Sequence, residues 1–200
     1  MFQFFMKGGP LMWPLLLVSL ATVTVALERI WFSLRESHSR RPADVEAFFN
    51  RLEKGKMGEA LDAGKHSKDF AARALAYALE HRSVSFSNAY LQAAARELSR
   101  FSRGLSVLDT VITLAPLMGL LGTVTGLIRS FGLLGDTELQ APAALTGGIA
   151  EALIATAFGL MIAITALIPF NYLNARLESA RRELEDAGTQ AELVLQKGGK

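Results

Sequence analysis

Apolar residues in this chain gather into three long blocks, separated by segments in which charged and apolar residues mix at helical spacing. The first block, residues 11–27, holds no charge and extends through Ile30, Trp31 and Phe32 past Glu28 and Arg29. The second covers 105–134 and the third 149–170. A hydrocarbon core of ~30 Å takes roughly 20 helical residues, so each block predicts one spanning helix, the second with length left over for tilt. Lys7 ahead of the first block invites comparison with a secretory signal. The run is longer than a typical signal core, however, and leads into Glu28, Arg29, Trp31 and Arg35, not into a small-residue cleavage site, which predicts an uncleaved span.

Between the first two blocks, break signals occur at Pro42-Ala43-Asp44, at Gly55, Gly58 and Gly64, and across residues 83–87. The intervening stretches read as helices, and no strand pattern is present. In 87–101, Ala89, Leu91, Ala93, Ala94, Leu98 and Phe101 alternate with Gln92, Arg96, Glu97 and Arg100, predicting a helix that runs on into the second span. After the third block, Leu177, Leu184, Leu193 and Val194 are set among Arg176, Glu178, Arg181, Arg182, Glu183, Glu185 and Asp186. This predicts that the third span continues as a helix with a solvated charged face.

Charge sets the expected orientation. Of 21 Lys and Arg, 14 fall in residues 28–104 and 5 in 174–200, whereas the connection 132–148 carries Asp136 and Glu138 and no basic residue. The positive-inside tendency places that connection and the N-terminus outside, and the middle segment and tail in the cytoplasm, with Trp13 and Trp31 near the two interfaces of the first span. The expected fold class is an all-α membrane protein with three transmembrane helices. An external segment 1–10 precedes span one (11–32), a cytoplasmic helical segment (33–104), span two (105–131), the external connection 132–148, span three (149–171) and a cytoplasmic C-terminal helix (172–200). Spans two and three are expected to extend into the cytoplasmic helical region.

Composition narrows the function classes. Half of the 200 residues are hydrophobic, the formal net charge is +2 and there is no cysteine, which excludes disulfides, thiolate metal sites and cysteine nucleophiles. The basic residues are interleaved with acids and form no patch for nucleic acid. His38, His66 and His81 lack ligand spacing, and no phosphate-binding loop, dinucleotide fingerprint or nucleophile elbow occurs. Neither enzymatic chemistry nor a metal or cofactor is expected.

The polar and small residues inside the spans carry what chemistry there is. Gly119, Thr123, Gly126 and Ser130 share one helix face, Gly122 and Gly126 form a G-x-x-x-G pair, and Ala155, Gly159 and Ala163 repeat small-x-x-x-small in span three. Such faces let backbones approach closely, so the glycines and alanines are read as helix-packing residues. Thr123 and Thr156 have two readings: a hydroxyl that bonds the carbonyl one turn back and is chemically silent, or a group on an ion pathway. Thr125 and Thr165 lie off those faces. An acid within a span costs roughly 2.5–3.5 kcal/mol on insertion scales, so Glu151 must face protein or water. It either complements the start of the span-three helix dipole or guards an ion pathway. Arg129 is expected to snorkel to the interface, and Asp109 near the cytoplasmic entry is a candidate relay. Pro116 predicts a kink in span two and Pro169 the helix exit of span three.

The run LDTVITLAPLMGLLGTVTGLIRSF of residues 108–131 resembles span two of the ExbB/TolQ/MotA ion-channel family. Likewise GGIAEALIATAFGLMIAI of 147–164, followed by Pro169, Phe170, Asn171 and Tyr172, resembles its span three. The resemblance implies a homopentamer around two single-span ExbD-like helices whose membrane aspartate exchanges protons against a lining of threonines, with rotation delivered to a TonB-like protein. On that analogy Thr123 and Thr156 face the pore and Glu151 guards its outer end. Three spans and not four argue against the flagellar MotA branch, and Gly-Thr-Val-Thr-Gly leans towards ExbB. At Thr125, relatives of both the ExbB and TolQ branches can carry tryptophan, so that position does not choose between them. The alternatives are a TolQ-like envelope-maintenance subunit with TolR- and TolA-like partners, and a non-conducting scaffold or transporter subunit, in which Thr123 and Thr156 would tolerate valine. Scattered hydroxyls with one carboxylate favour proton over sodium coupling, and little ion flux is expected without the partner.

Overall fold

The computed structural model describes residues 8–132 and 141–198. Lys7, Asp136 and Glu138, which enter the orientation argument, lie outside the described residues. The described residues form seven α-helices: α1 (Met12–Ser39), α2 (Pro42–Glu53), α3 (Met57–His66), α4 (Phe70–Glu80), α5 (Arg82–Ser102), α6 (Leu105–Gly132) and α7 (Ala141–Gly198). Of these, α1, α6 and α7 are long and apolar enough to cross a membrane. At 1.5 Å per residue the 58 residues of α7 extend about 87 Å, so a single crossing does not use it up.

The chain divides into two compact units. Among the described residues the first comprises 8–29, 104–132 and 141–172, and is built from the start of α1, from α6 and from the first part of α7. Its apolar centre joins Met12 and Leu15 of α1, Val111 and Ala115 of α6, and Ile162 and Ala166 of α7. Pro14 sits in the first turn of α1, where the amide it lacks would have no intrahelical partner. The buried positions of α6 (Leu105, Leu108, Val111, Ala115, Gly119, Gly122, Gly126 and Ser130) recur every three or four residues and form one stripe.

The second unit comprises, among the described residues, 30–103 and 173–198. The alanine-rich α4 is buried on most of its surface, against Phe48, Phe49 and Leu52 of α2, Ala60 of α3, Tyr90, Ala93 and Ala94 of α5, and Ala180, Leu184, Ala187 and Ala191 of α7. Its N-cap Asp69, fully buried, accepts from the Ala71 amide (2.9 Å), from Arg40 Nη1 (3.0 Å) and from the Arg41 amide (3.1 Å). The Tyr90 hydroxyl donates to the Leu184 carbonyl, and burial pushes this phenol well above its ordinary range. Partial burial pulls the Arg73 guanidinium down, but its hydrogen bond to Glu97 and the charges of Glu97, Glu36 and Asp69 outweigh that and raise it.

Four sequence expectations change. The helix 87–101 does not run into span two, because α5 ends at Ser102 and α6 begins at Leu105. Gly104 between them has φ +80°, a conformation that ends a helix cheaply only for glycine, and a Cβ there would also press to 3.1 Å from Arg29 Cδ and Val25 Cγ1. Pro169 does not end the third apolar helix, which continues through it to Gly198. The break expected across 83–87 narrows to the single extended residue Ser85 inside α5, while Gly58 and Gly64 lie within α3.

Candidate ion-pathway site

The stripe of α6 lies against a matching stripe of α7. A Cβ on Gly119 would stand 2.9 Å from Thr156 Cα and 3.1 Å from the Ala155 carbonyl oxygen. On Gly122 it would meet Ala155 Cβ at 2.5 Å, and on Gly126 Ala152 Cβ at 3.1 Å. From the other side, a Cβ on Gly159 would run into the Ala115 carbonyl oxygen and one on Gly148 into Ser130 Oγ. Backbone therefore meets backbone along this antiparallel pair, with dispersion replacing side-chain interdigitation. Ala155 and Ala163 are buried within unit one as well.

This close approach places Thr156. Its Oγ1 donates to the Gly119 carbonyl oxygen across the helix pair at 2.8 Å, a bond that requires Gly119 to carry no side chain. Thr123, one turn further along α6, is partly exposed and donates within its own helix to the Leu120 carbonyl at 2.6 Å. Thr125, Ser130 and Thr165 likewise donate to carbonyls one turn back, at 2.9, 2.9 and 2.8 Å. Each threonine hydroxyl has thus committed its single proton, and what its oxygen still offers is acceptor lone pairs. The Thr123 hydroxyl thus makes the turn-back bond, whereas Thr156 links two helices, and in both the oxygen lone pairs are left to accept.

Glu151 lies ten residues into α7, too far from its start to be explained by the helix dipole, and pairs with Arg129 of α6, Nη1 to Oε1 3.1 Å. Gly9, with φ +75°, packs its backbone against the same carboxylate, where a side chain would collide with Glu151 Oε1. Arg129 does not simply snorkel: it reaches across to Glu151, and the antiparallel register makes this legible afterwards. With Gly126 facing Ala152 and Ser130 facing Gly148, residue 129 falls level with residue 149, so the long Arg129 side chain has only to reach about half a turn along α7 to meet Glu151. Asp109 is exposed at the far end of α6 and is not brought to this cluster. Among the described residues no group of three or more His, Cys, Asp or Glu is placed to hold a metal ion.

Known proteins share this arrangement of sequence. The profile of the MotA/TolQ/ExbB proton channel family matches residues 62–186. A biopolymer transport protein named ExbB-like 1 from Synechocystis is 37% identical over 198 residues, covering 95% of this chain and 77% of its own length. A second Synechocystis protein, ExbB-like 3, is 32% identical over 94% of this chain and 92% of its own length. The biopolymer transport protein ExbB of Neisseria gonorrhoeae is 33% identical over 64% of this chain and 57% of its own length. With three helices long and apolar enough to span and a family match that takes in all of α6 and α7 as far as residue 186, this chain is a multi-pass membrane protein that belongs to the MotA/TolQ/ExbB proton channel family and is most like ExbB.

Proposed function

We propose that this chain is the ExbB-like subunit of an inner-membrane motor driven by the proton motive force, which energises TonB-dependent import across the outer membrane. Its N-terminus lies outside and its long α7 tail in the cytoplasm. Five copies surround single-span ExbD-like helices, and a TonB-like protein receives the work. The observation that carries the reading is the state of the threonine hydroxyls: Thr156 donates to Gly119 and Thr123 to Leu120, so both oxygens are presented to a partner as acceptors only. A protonated carboxyl on a partner helix has one O–H to donate and finds in such a lining an acceptor at each step. A carboxylate, which needs donors, finds none there and is held back where water or a cation can neutralise it. The hydroxyl lining thereby favours passage of the neutral, proton-loaded form, and charge is taken up and released at the two ends. The glycine stripe supports this by fixing Thr156, since its bond to Gly119 depends on the backbone contact.

The test is complementation of a host lacking its own ExbB-type and TolQ-type subunits, supplied with this chain and its small membrane partner. Restored uptake of a TonB-dependent nutrient is expected. Restored resistance to detergents and bile salts without nutrient uptake would assign the chain to envelope maintenance with TolR- and TolA-like partners. Restoration of neither would favour a non-conducting scaffold.

A further inference from the structure

A purely hydroxyl-lined proton path has no need of Arg129, yet the placement of this charge in the α6/α7 pair is specific. We propose that Arg129 is a specificity-determining residue: its guanidinium occupies the position a metal cation would take at Glu151, and so keeps sodium and potassium from entering the pathway. The inference rests on the ion-motor reading.

Three observations place the guanidinium as a fixed counter-ion. Arg129 Nη1 lies 3.1 Å from Glu151 Oε1, within charge-assisted hydrogen-bond distance. The pair is held in register by close contacts on both sides of it, Gly126 to the Ala152 methyl and Gly148 to Ser130 Oγ, so neither residue can slide a turn away without breaking the stripe. The Gly9 backbone packs against the carboxylate, and Glu151 is left 24% exposed beside an arginine that is 55% exposed. The carboxylate is thus covered and the cation is the accessible member of the pair.

Without Arg129 the same place would offer an unpaired carboxylate, a hard oxygen donor of the type that alkali and alkaline-earth cations select. An arginine is suited to exclude such ions because it carries its charge permanently, presents a planar fork of donors to a carboxylate and, being tethered to the chain, cannot leave as a bound ion does. The threonine oxygens further along the pair are then open to a proton carried on a partner carboxyl, but a metal cation arriving at this end meets a positive charge before it meets an oxygen.

The test is ion uptake by liposomes that contain the full chain with its co-purified membrane partner, measured in parallel for protons and for radioactive sodium. The wild type takes up protons and leaves sodium at background. An opposite charge at this separation is worth more than one factor of ten in local cation occupancy, so sodium uptake rises about tenfold or more in Arg129→Leu. The double variant Arg129→Leu/Glu151→Gln returns sodium to background, and Arg129→Lys keeps it there. Sodium uptake that stays at background in Arg129→Leu while proton uptake persists would overturn the proposal. The pair is read separately, without any flux, by the melting temperature of the detergent-solubilised protein. Reversing either charge alone lowers it, and the exchanged pair Arg129→Glu/Glu151→Arg regains most of the loss. Additive losses in the exchanged pair would overturn the counter-ion arrangement. A wild type that takes up no protons but shows this regain would mean that the motor reading has failed and the pair has not.

Discussion

Removing the carboxylate of Asp69 leaves an amide in the first turn of α4 uncapped and Arg40 without its buried partner. Arg40 keeps its second partner Glu183, so the loss is chiefly that of the cap, about 1–2 kcal/mol, and Asp69→Ala should lower the melting temperature of the solubilised protein by several degrees. Asp69→Asn should regain most of this, since the amide oxygen still caps Ala71. Equal melting temperatures for wild type and Asp69→Ala would contradict this account of the α4 terminus. At this scale the sequence was uneven. Glu151 stood out because an acid in an apolar block demands a partner, but which partner is a matter of register between helices that composition does not carry. Thr156 and Thr123 looked alike in sequence, as lone hydroxyls among small residues. Only the helix pairing separates them, because Thr156 faces a backbone that a side chain at Gly119 would have hidden.

The spanning elements were legible as elements because the bilayer sets their length and hydropathy, and three runs above the threshold give α1, α6 and α7. Their ends were less so. Pro169 costs one hydrogen bond, to the carbonyl four residues back, and a 58-residue helix absorbs that loss without ending. Gly104 does end a helix, yet in sequence it is one glycine among 17. The α6/α7 pair makes a sharp prediction about which glycines matter. A methyl at Gly159 runs into the Ala115 carbonyl and one at Gly122 into Ala155, so Gly159→Ala and Gly122→Ala should each destabilise the pair by about 1–3 kcal/mol, seen as a lower melting temperature. At Gly147 nothing lies within 4 Å of where a methyl would stand, so Gly147→Ala should gain helix propensity and be neutral or stabilising by up to about 1 kcal/mol. Indistinguishable melting curves for Gly159→Ala and Gly147→Ala would contradict backbone-on-backbone packing.

For the whole molecule, the division into an apolar unit and a polar helical unit follows from the same pattern, since the residues that leave water for lipid and those that pack around α4 are drawn from different blocks of the sequence. What the sequence carried least well was the working state of the hydroxyls. A threonine read from a string is a donor and an acceptor, and only the surrounding carbonyls show that its proton is committed. That commitment is the centre of the functional account, and proton uptake into liposomes holding this protein with its co-purified partner tests it most directly. Replacing Thr123 or Thr156 by valine removes an acceptor while keeping shape, and should cut uptake about tenfold or more, with assembly intact, since one hydrogen bond to the moving carboxyl is worth about 1.4 kcal/mol. Replacement of Thr123 by serine, which keeps the oxygen, should restore it. Proton uptake that is unchanged in both valine variants would contradict the account.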